Sequence, residues 1–424
     1  MRFVLSAALL SLGLVTCTDS TVSPPTSDTI IDTAETAASS LVVVSLDGPT
    51  PSILAGSSET DREAAEDLAD LLSRVTGQAL AVVDEPAAEG VVMHVGRTDF
   101  VDSHVDLDDL YADGFVMRHL VVDGRDHLVL AGARDPSSQW AVEYFLREHA
   151  GVRWLFPVET YGEHVPQTDT LSVPVGLDET QEPDFAHRGS LSMYYFNPGG
   201  RNLRNFANGS GEYGIHALQN IFTGQDFLAH PEWFSWFDGA RQWWEYGNGW
   251  QICTARSETV THAVEHCVDR FESDPDADTC SVGPNDGSGL CTDDLCNALR
   301  ASQEEPYNDS EMWWLWVNAV ARELAAVDGG AYADRWVESL AYSWSSEPPR
   351  FALEPNVAIT KSIVFDYELD QAEEWSEEPA NAQSVNLYSY PMCSAFLGFR
   401  HYPHAMADFL HWSRDTLGSQ AHVP

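Results

Sequence analysis

The stretch with the densest chemistry is CSVGPNDGSGLCTDDLC, Cys280 to Cys296. A short apolar run from Cys280 to Gly283 leads into Pro284, adjacent Asn285 and Asp286, and a turn carrying Gly287 and Gly289. This reads as a buried strand ending on a carboxylate. Side chains at the carboxyl ends of strands project into the sites of barrel and open α/β enzymes, so Asp286 is the first candidate for acid/base work. The plainer reading is an Asp that caps an Asn-Asp-Gly turn. A second carboxylate would come from Glu347, just beyond a strand ending in Tyr342 and Trp344, or from Asp366 and Glu368 after the next strand. In so acidic a chain each is also an ordinary solvated loop charge.

The segment HPEWFSWFDGARQWWEYGNGWQICT sets Trp and Phe rings, Trp233 among them, beside His230, Glu232, Asp238 and Arg241. Sugar rings offer apolar C–H faces and polar edges, so aromatic faces next to hydrogen-bonding groups suit a carbohydrate cleft, although part of the cluster must be core. His216, in GIHALQNIF, is either a ligand contact or a satisfied structural histidine. With His216, Trp233 and Arg241, the strand-end residues Tyr342 and Tyr390 are assigned to the same sugar site.

The elements that must position these groups fall into two domains. Over residues 41–176 the pattern is a strand LVVVSL, an amphipathic helix Glu59 to Val75, strands Ala79 to Val83 and Val91 to Val95, a hairpin Gly114 to Gly132 turning at Asp123-Gly124, and a helix Ser137 to His149. This is a small α+β accessory module. Over residues 184–424, candidate strands His187 to Met193, Gly214 to Phe222, Trp250 to Cys253, Cys280 to Gly283, Val337 to Ser343, Asn356 to Val364 and Val385 to Tyr390 alternate with helices such as Ser257 to Phe271, Ser310 to Val327 and His404 to Thr416. Such alternation predicts an α/β fold with a parallel sheet, a (β/α)8 TIM-type barrel. Only a few residues follow the last helix, so the barrel is expected to be open or truncated at its C-terminal end. Neither a dinucleotide fingerprint nor a phosphate-binding loop motif occurs, and no cofactor is expected.

The 424 residues are 44% hydrophobic with 14 Trp, enough for a large core. A net charge of -44 with a single lysine, Lys361, excludes nucleic-acid backbones as partners, because they need clustered cations. Residues 1–17, MRFVLSAALLSLGLVTC, have the form of a signal peptide ending in a lipobox-like sequence. Cys17 is the lipidation candidate; Thr16 departs from the usual small residue before it, and simple cleavage nearby is the alternative. Residues 18–40 read as a flexible tether. The expectation is an exported, periplasmic or outer-membrane surface lipoprotein held by its lipid, with no transmembrane helix in the mature chain.

Six further cysteines are Cys253, Cys267, Cys280, Cys291, Cys296 and Cys393. An even number in an exported chain favours disulfides. Zinc on Cys280, Cys291 and Cys296 with an acidic residue lacks the paired C-x-x-C spacing, and no metal is expected. Asp274, Asp276 and Asp278 alternate as in a calcium loop, but the Gly and Glu that such a loop needs are missing.

Taken together, GVRWLFPVETYGEHVP, HPEWFSWFDGAR, QICT and PNDGSGLCTDDLC resemble a bacterial domain-of-unknown-function family, number 4838, related to glycoside hydrolases that include α-glucuronidases and β-hexosaminidases. The resemblance spans roughly residues 42 to 420. It implies a hexosaminidase-like N-terminal α/β domain before a catalytic-type barrel, whose fourth strand ends in adjacent acidic residues, the second a general acid. Asn285 and Asp286 hold that place here. The family commonly has C-x-C-x-x-C after this point, where this chain has Asp293 between Cys291 and Cys296, which favours one local bridge. The function expected is carboxylate acid/base hydrolysis of a polysaccharide or glycoconjugate; the alternative is a carbohydrate-binding lipoprotein without turnover on a degenerate barrel.

Overall fold

A computed structural model describes residues 39–111, 113–134, 137–155, 162–185, 187–188, 216–243, 249–275, 277–287, 289–363, 367–389, 403–419 and 421–423. Cys17, Asp366, Tyr390, Cys393, the export signal and the side chain of Glu368 lie outside the described residues. The chain divides into Met1–Ser39 and Ser40–Pro424, and all the elements below belong to the second unit.

In chain order the first elements are β1 (Ser40–Ser45), β2 (Ser52–Ala55), α1 (Glu59–Thr76), β3 (Val92–Val95), α2 (Asp99–His104), β4 (Phe115–Val122), β5 (Arg125–Gly132), α3 (Ser137–Glu148), β6 (Arg153–Trp154), β7 (Glu163–His164), β8 (Thr170–Pro174) and β9 (Asp178–Gln181). Five of the strands form one mixed sheet in the order β2-β3-β5-β4-β9. The β4–β5 hairpin turns at Asp123 (φ 52) and Gly124 (φ 78), the positive pair that a tight turn matching strand twist needs. Ser58 accepts a bond from the Asp61 N–H to start α1, and left-handed Gly77 ends it. Ala64, Leu68, Leu71, Leu72 and Val75, at helical spacing, are buried in the core they share with the sheet. The strand expected at Ala79 to Val83 is reduced to one bridge, Ile53 to Val82, because Leu80 and Val82 pack partly buried on that core without extending a ladder.

The remaining elements are β10 (His187–Arg188), α4 (Leu218–Ile221), α5 (Gly224–Ala229), β11 (Trp236–Phe237), β12 (Ala240–Arg241), α6 (Ser257–Ser273), β13 (Thr279–Ser281), α7 (Asp294–Arg300), α8 (Asp309–Ala326), β14 (Trp336–Ala341), β15 (Val357–Ile363), α9 (Tyr367–Ser376), β16 (Ser384–Ser389), α10 (Pro403–Leu417) and β17 (Ala421–Val423). A six-stranded sheet runs β10-β17-β16-β15-β14-β13, with every neighbour parallel. The architecture is mixed α/β.

Two sequence expectations change here. The few residues after the last helix suffice for a strand: β17 pairs with both β10 and β16. Within the strand expected at Gly214 to Phe222, the described residues, from His216 on, carry the short helix α4, whose Leu218 and Ile221 are buried together with its capping Phe222. Trp250 to Cys253 makes only isolated bridges, Trp250 to Gly289 and Ile252 to Phe234. Among the described residues, β10 and β13 are the two edges of the sheet.

Strand alternation gives this sheet two unlike faces. Cys280, Val337, Ala341, Val357, Ile359, Val385 and Leu387 join a core built with Trp313, Trp314, Trp316 and Trp375 of the covering helices. Three of these indole N–H groups are satisfied: Trp313 donates to Ser339 Oγ (2.9 Å), Trp314 to the Ser345 carbonyl (3.1 Å) and Trp316 to Thr259 Oγ1 (3.0 Å), while that of Trp375 is buried without a partner among the described residues. The opposite face carries Ser281, Glu338, Thr360, Ser362, Ser384 and Asn386, all buried.

Candidate functional site

The loop after β13 is the meeting point. Pro284 and Asn285 are buried and Asp286 is exposed. The ring Nδ1 of His216 lies 2.6 Å from the Pro284 carbonyl, and the backbone N–H groups of Ala217 and Leu218 donate to the Gly283 carbonyl. The Asn285 amide donates to the Trp250 carbonyl (2.9 Å), while Gln251 donates back to the carbonyls of Asn285 (2.6 Å) and Gly287 (3.2 Å). From the end of β14, Trp344 donates to the Gly287 carbonyl (2.6 Å), and the Tyr342 ring stands edge-on to His216 at 6.3 Å. Tyr342 is 37% exposed, so an aromatic side chain and a carboxylate reach solvent on one strand-end rim. Gly287 has a steric reason: a Cβ there would sit 2.5 Å from the Gly249 backbone.

The other candidates are placed apart from this rim. Glu347 accepts a bond from the Asn308 amide (3.3 Å), and its carbonyl accepts one from Ser310 Oγ (2.5 Å), so it sits at the start of α8. Trp233 stacks on His230 (4.2 Å) and packs against the core with Phe222 and His262. Arg241 donates to the Phe234 carbonyl (2.8 Å) and pairs with Asp293 (2.8 Å). The structure thus brings His216, Asn285, Asp286, Tyr342 and Trp344 together, and uses Trp233 and Arg241 for packing and ion pairing.

Arg241 leads to a second cluster. Of the cysteines expected to pair, Cys267 and Cys280 form a disulfide joining α6 to β13. Cys253, Cys291 and Cys296 are unbridged and buried, so the local bridge expected between Cys291 and Cys296 is not formed. The trio suggested for zinc also changes, because Cys280 is bridged and Cys253 takes its place. One ligand atom each from Cys253, Cys291, Asp293 and Cys296 lies within 4.8 Å of all the others. Asp293 caps α7, accepting from the Cys296 N–H at 2.9 Å. Against the cost of burial, that bond and the Arg241 guanidinium hold its carboxyl well below the usual range. Hydrogen bonds from Cys253 and Cys296 pull the Cys291 thiol down to about 3, and the bond shared with Cys291 pushes Cys253 up to about 12. The Trp236 N–H also points at Cys291 Sγ, 3.4 Å away.

The polar face of the parallel sheet escaped the sequence reading. The register aligns Ser281 with Glu338, Glu338 with Ala358, Thr360 with Asn386 and Ser362 with Tyr388. Parallel strands buried on both faces usually read as near-continuous runs of Val, Ile and Leu, so a row of hydroxyl, amide and carboxyl groups makes this a buried hydrogen-bonding face. Among the described residues, Thr360 Oγ1, Ser362 Oγ and Asn285 Oδ1 are buried without a hydrogen-bond partner. The signal was present in SVNLYS, where Ser384, Asn386 and Tyr388 recur at every second position, and in Thr360 and Ser362 of VAITKSI, while WVESLA carries only Glu338 on that face.

Residues 158–387, more than half of the chain, match the family described as Domain of unknown function (DUF4838). No curated protein matches. Among solved structures, an N-acetyl-beta-hexosaminidase from Streptomyces plicatus is 12% identical with a TM-score of 0.43, covering 83% of this chain and 72% of that one. The GH20 beta-N-acetylhexosaminidase from Streptomyces coelicolor A3(2) is 11% identical with a TM-score of 0.42, at 83% and 72% coverage. A chitobiase from Flavobacterium johnsoniae is 9% identical with a TM-score of 0.44, at 83% and 58% coverage. Likeness at this level carries no information about chemistry.

Proposed function

The chain belongs to the family described as Domain of unknown function (DUF4838), and from that starting point we propose that it is a carbohydrate-active protein that hydrolyses glycosidic bonds at the rim beside β13 and β14. The observation that carries this reading is the convergence of His216, Asp286, Tyr342 and Trp344 on one strand-end loop. Aromatic rings bind the C–H faces of a sugar, and the exposed Asp286 carboxyl is free to approach a glycosidic oxygen. Asp286 acts as the acid: it protonates the leaving oxygen as the anomeric C–O bond breaks, and water supplies the hydroxyl that replaces it. Export with lipidation at Cys17 belongs to the same reading, supported by the apolar N-terminal run that ends at that cysteine.

A second reading, sugar binding without turnover, is favoured by one observation. The carboxylate nearest in sequence to the rim, Glu347, is turned to Asn308 at the start of α8. The deciding experiment is reducing-sugar release from a panel of uronic-acid and hexosamine polysaccharides by the wild type and by Asp286→Asn. Hydrolysis reduced at least about 100-fold in the variant, with sugar binding retained, is the expected result. Binding without release by either protein selects the second reading, and absence of both overturns the two together.

A further inference from the structure

We infer that Cys253, Cys291, Asp293 and Cys296 form a structural binding site for one zinc ion, independent of any glycosidase activity. The placement begins with the sequence. Asp293 is the capping residue of α7, which fixes its carboxylate against the Cys296 N–H and brings Cys296 back beside Cys291. Cys253 arrives from a different segment, set by its backbone bond to the Trp233 carbonyl (2.7 Å). Three sulfurs and one carboxylate oxygen then converge within 4.8 Å. The three cysteines are 0%, 4% and 1% exposed, so water does not solvate their sulfurs, and they face one another, the Asp293 carboxylate and the Arg241 guanidinium.

A disulfide accounts for this arrangement poorly. Cys253 Sγ and Cys296 Sγ are 2.8 Å apart, beyond a sulfur–sulfur bond of about 2.05 Å. Such a bridge would use two of the three sulfurs and leave Cys291 a buried lone thiol beside it. Zinc takes four ligands tetrahedrally with zinc–sulfur distances of about 2.3 Å, which sets sulfurs about 3.8 Å apart. The Cys253 and Cys296 sulfurs therefore need to spread by about 1 Å to admit the ion. Thiolates select zinc over the oxygen-seeking calcium and magnesium, and four protein ligands leave no open position for catalysis.

Charge closes the argument. Three thiolates and a carboxylate around a divalent ion leave two negative charges, and two guanidiniums are in place to meet them. Arg241 pairs with Asp293 at 2.8 Å and reaches Cys291 Sγ at 3.7 Å, while Arg256 approaches the same Asp293 oxygen at 3.5 Å. Binding displaces the thiol protons to solvent. The ion ties the Trp250–Cys253 segment to the chain that follows the Asp286 loop, a clamp on the loop's far end.

The test is elemental analysis of the full chain purified without chelator from zinc-supplemented medium, with cobalt substitution as a second readout. About one zinc per chain and a thiolate-to-cobalt charge-transfer band are expected. Cys291→Ser and Cys296→Ser should lose the metal, Asp293→Ala should bind it at least about 10-fold more weakly, and Asp293→Cys should retain it. If the serine variants do not fold, the wild-type zinc content and cobalt spectrum still decide. A wild type that takes up neither zinc nor cobalt, or peptide mapping that finds a Cys253–Cys296 disulfide in the native chain, overturns the inference.

Discussion

Asn285 and Asp286 are neighbours with opposite fates. The Asn285 side chain is 2% exposed and its amide donates to the Trp250 carbonyl; Asp286 faces solvent. Replacing Asn285 by Asp would remove that donor and set a carboxylate against a carbonyl oxygen in a dry site. Asn285→Asp should therefore destabilise the fold by about 2–4 kcal/mol, measured as a shift in the urea midpoint; an unchanged midpoint would refute the buried amide's role. The importance of Pro284 to Gly287 was legible, because an apolar run breaking into Asn-Asp-Gly has few structural meanings. The burial of Asn285 was not, since it depends on Trp250 and Gln251, which come from a segment 34 and more residues away. The pairing of Arg241 was hidden for a similar reason: Asp293, its carboxylate partner, lies 52 residues further along the chain.

Elements were read from periodicity, and success followed how much of each element its own sequence determines. α1 and α8 declare themselves by apolar spacing and by capping residues Ser58 and Asn308, and the structure ends them within a residue or two of expectation. The apolar run at α4 is short enough to suit either period, and the carbonyl of Gly283, which takes the N–H groups of Ala217 and Leu218, decides it. β17 has only three residues and no pattern; its partners β10 and β16 define it. The disulfide between α6 and β13 links cysteines 13 residues apart. Cys267→Ala combined with Cys280→Ala should lower stability by about 3 kcal/mol without leaving a lone thiol, read from denaturant unfolding. A loss under about 0.5 kcal/mol would mean that the core of α6 and β13 suffices alone.

At the scale of the whole molecule, 66 acidic residues against 22 basic ones make acid a strong perturbation, since protonation relieves repulsion throughout the chain. One buried group works against that relief. His94 on β3 is 3% exposed, bonded to Thr98 and His127 at 3.0 Å each, and burial holds it down to about 4 from an ordinary 6.5. Below pH 6.5 the unfolded chain takes up a proton that folded His94 refuses, so this group lowers stability as pH falls from about 6.5 to about 4, by on the order of 3 kcal/mol. Comparing the wild type with His94→Gln at pH 7 and pH 4.5 cancels the common background: the wild type should lose more stability than the variant. Equal losses would show that His94 protonates freely in the fold. The parallel sheet carries a last consequence, in time instead of energy. Its strands β13 to β16 add neighbour by neighbour along the chain, but among the described residues β10 meets them only through β17, with Arg188 opposite His422. So distant a pairing closes a very long loop and is slow to form. Refolding should therefore proceed in two stages, with the rim beside β13 and β14 assembled before β10 docks, and β10 and β17 should exchange their amide hydrogens soonest when the folded chain breathes.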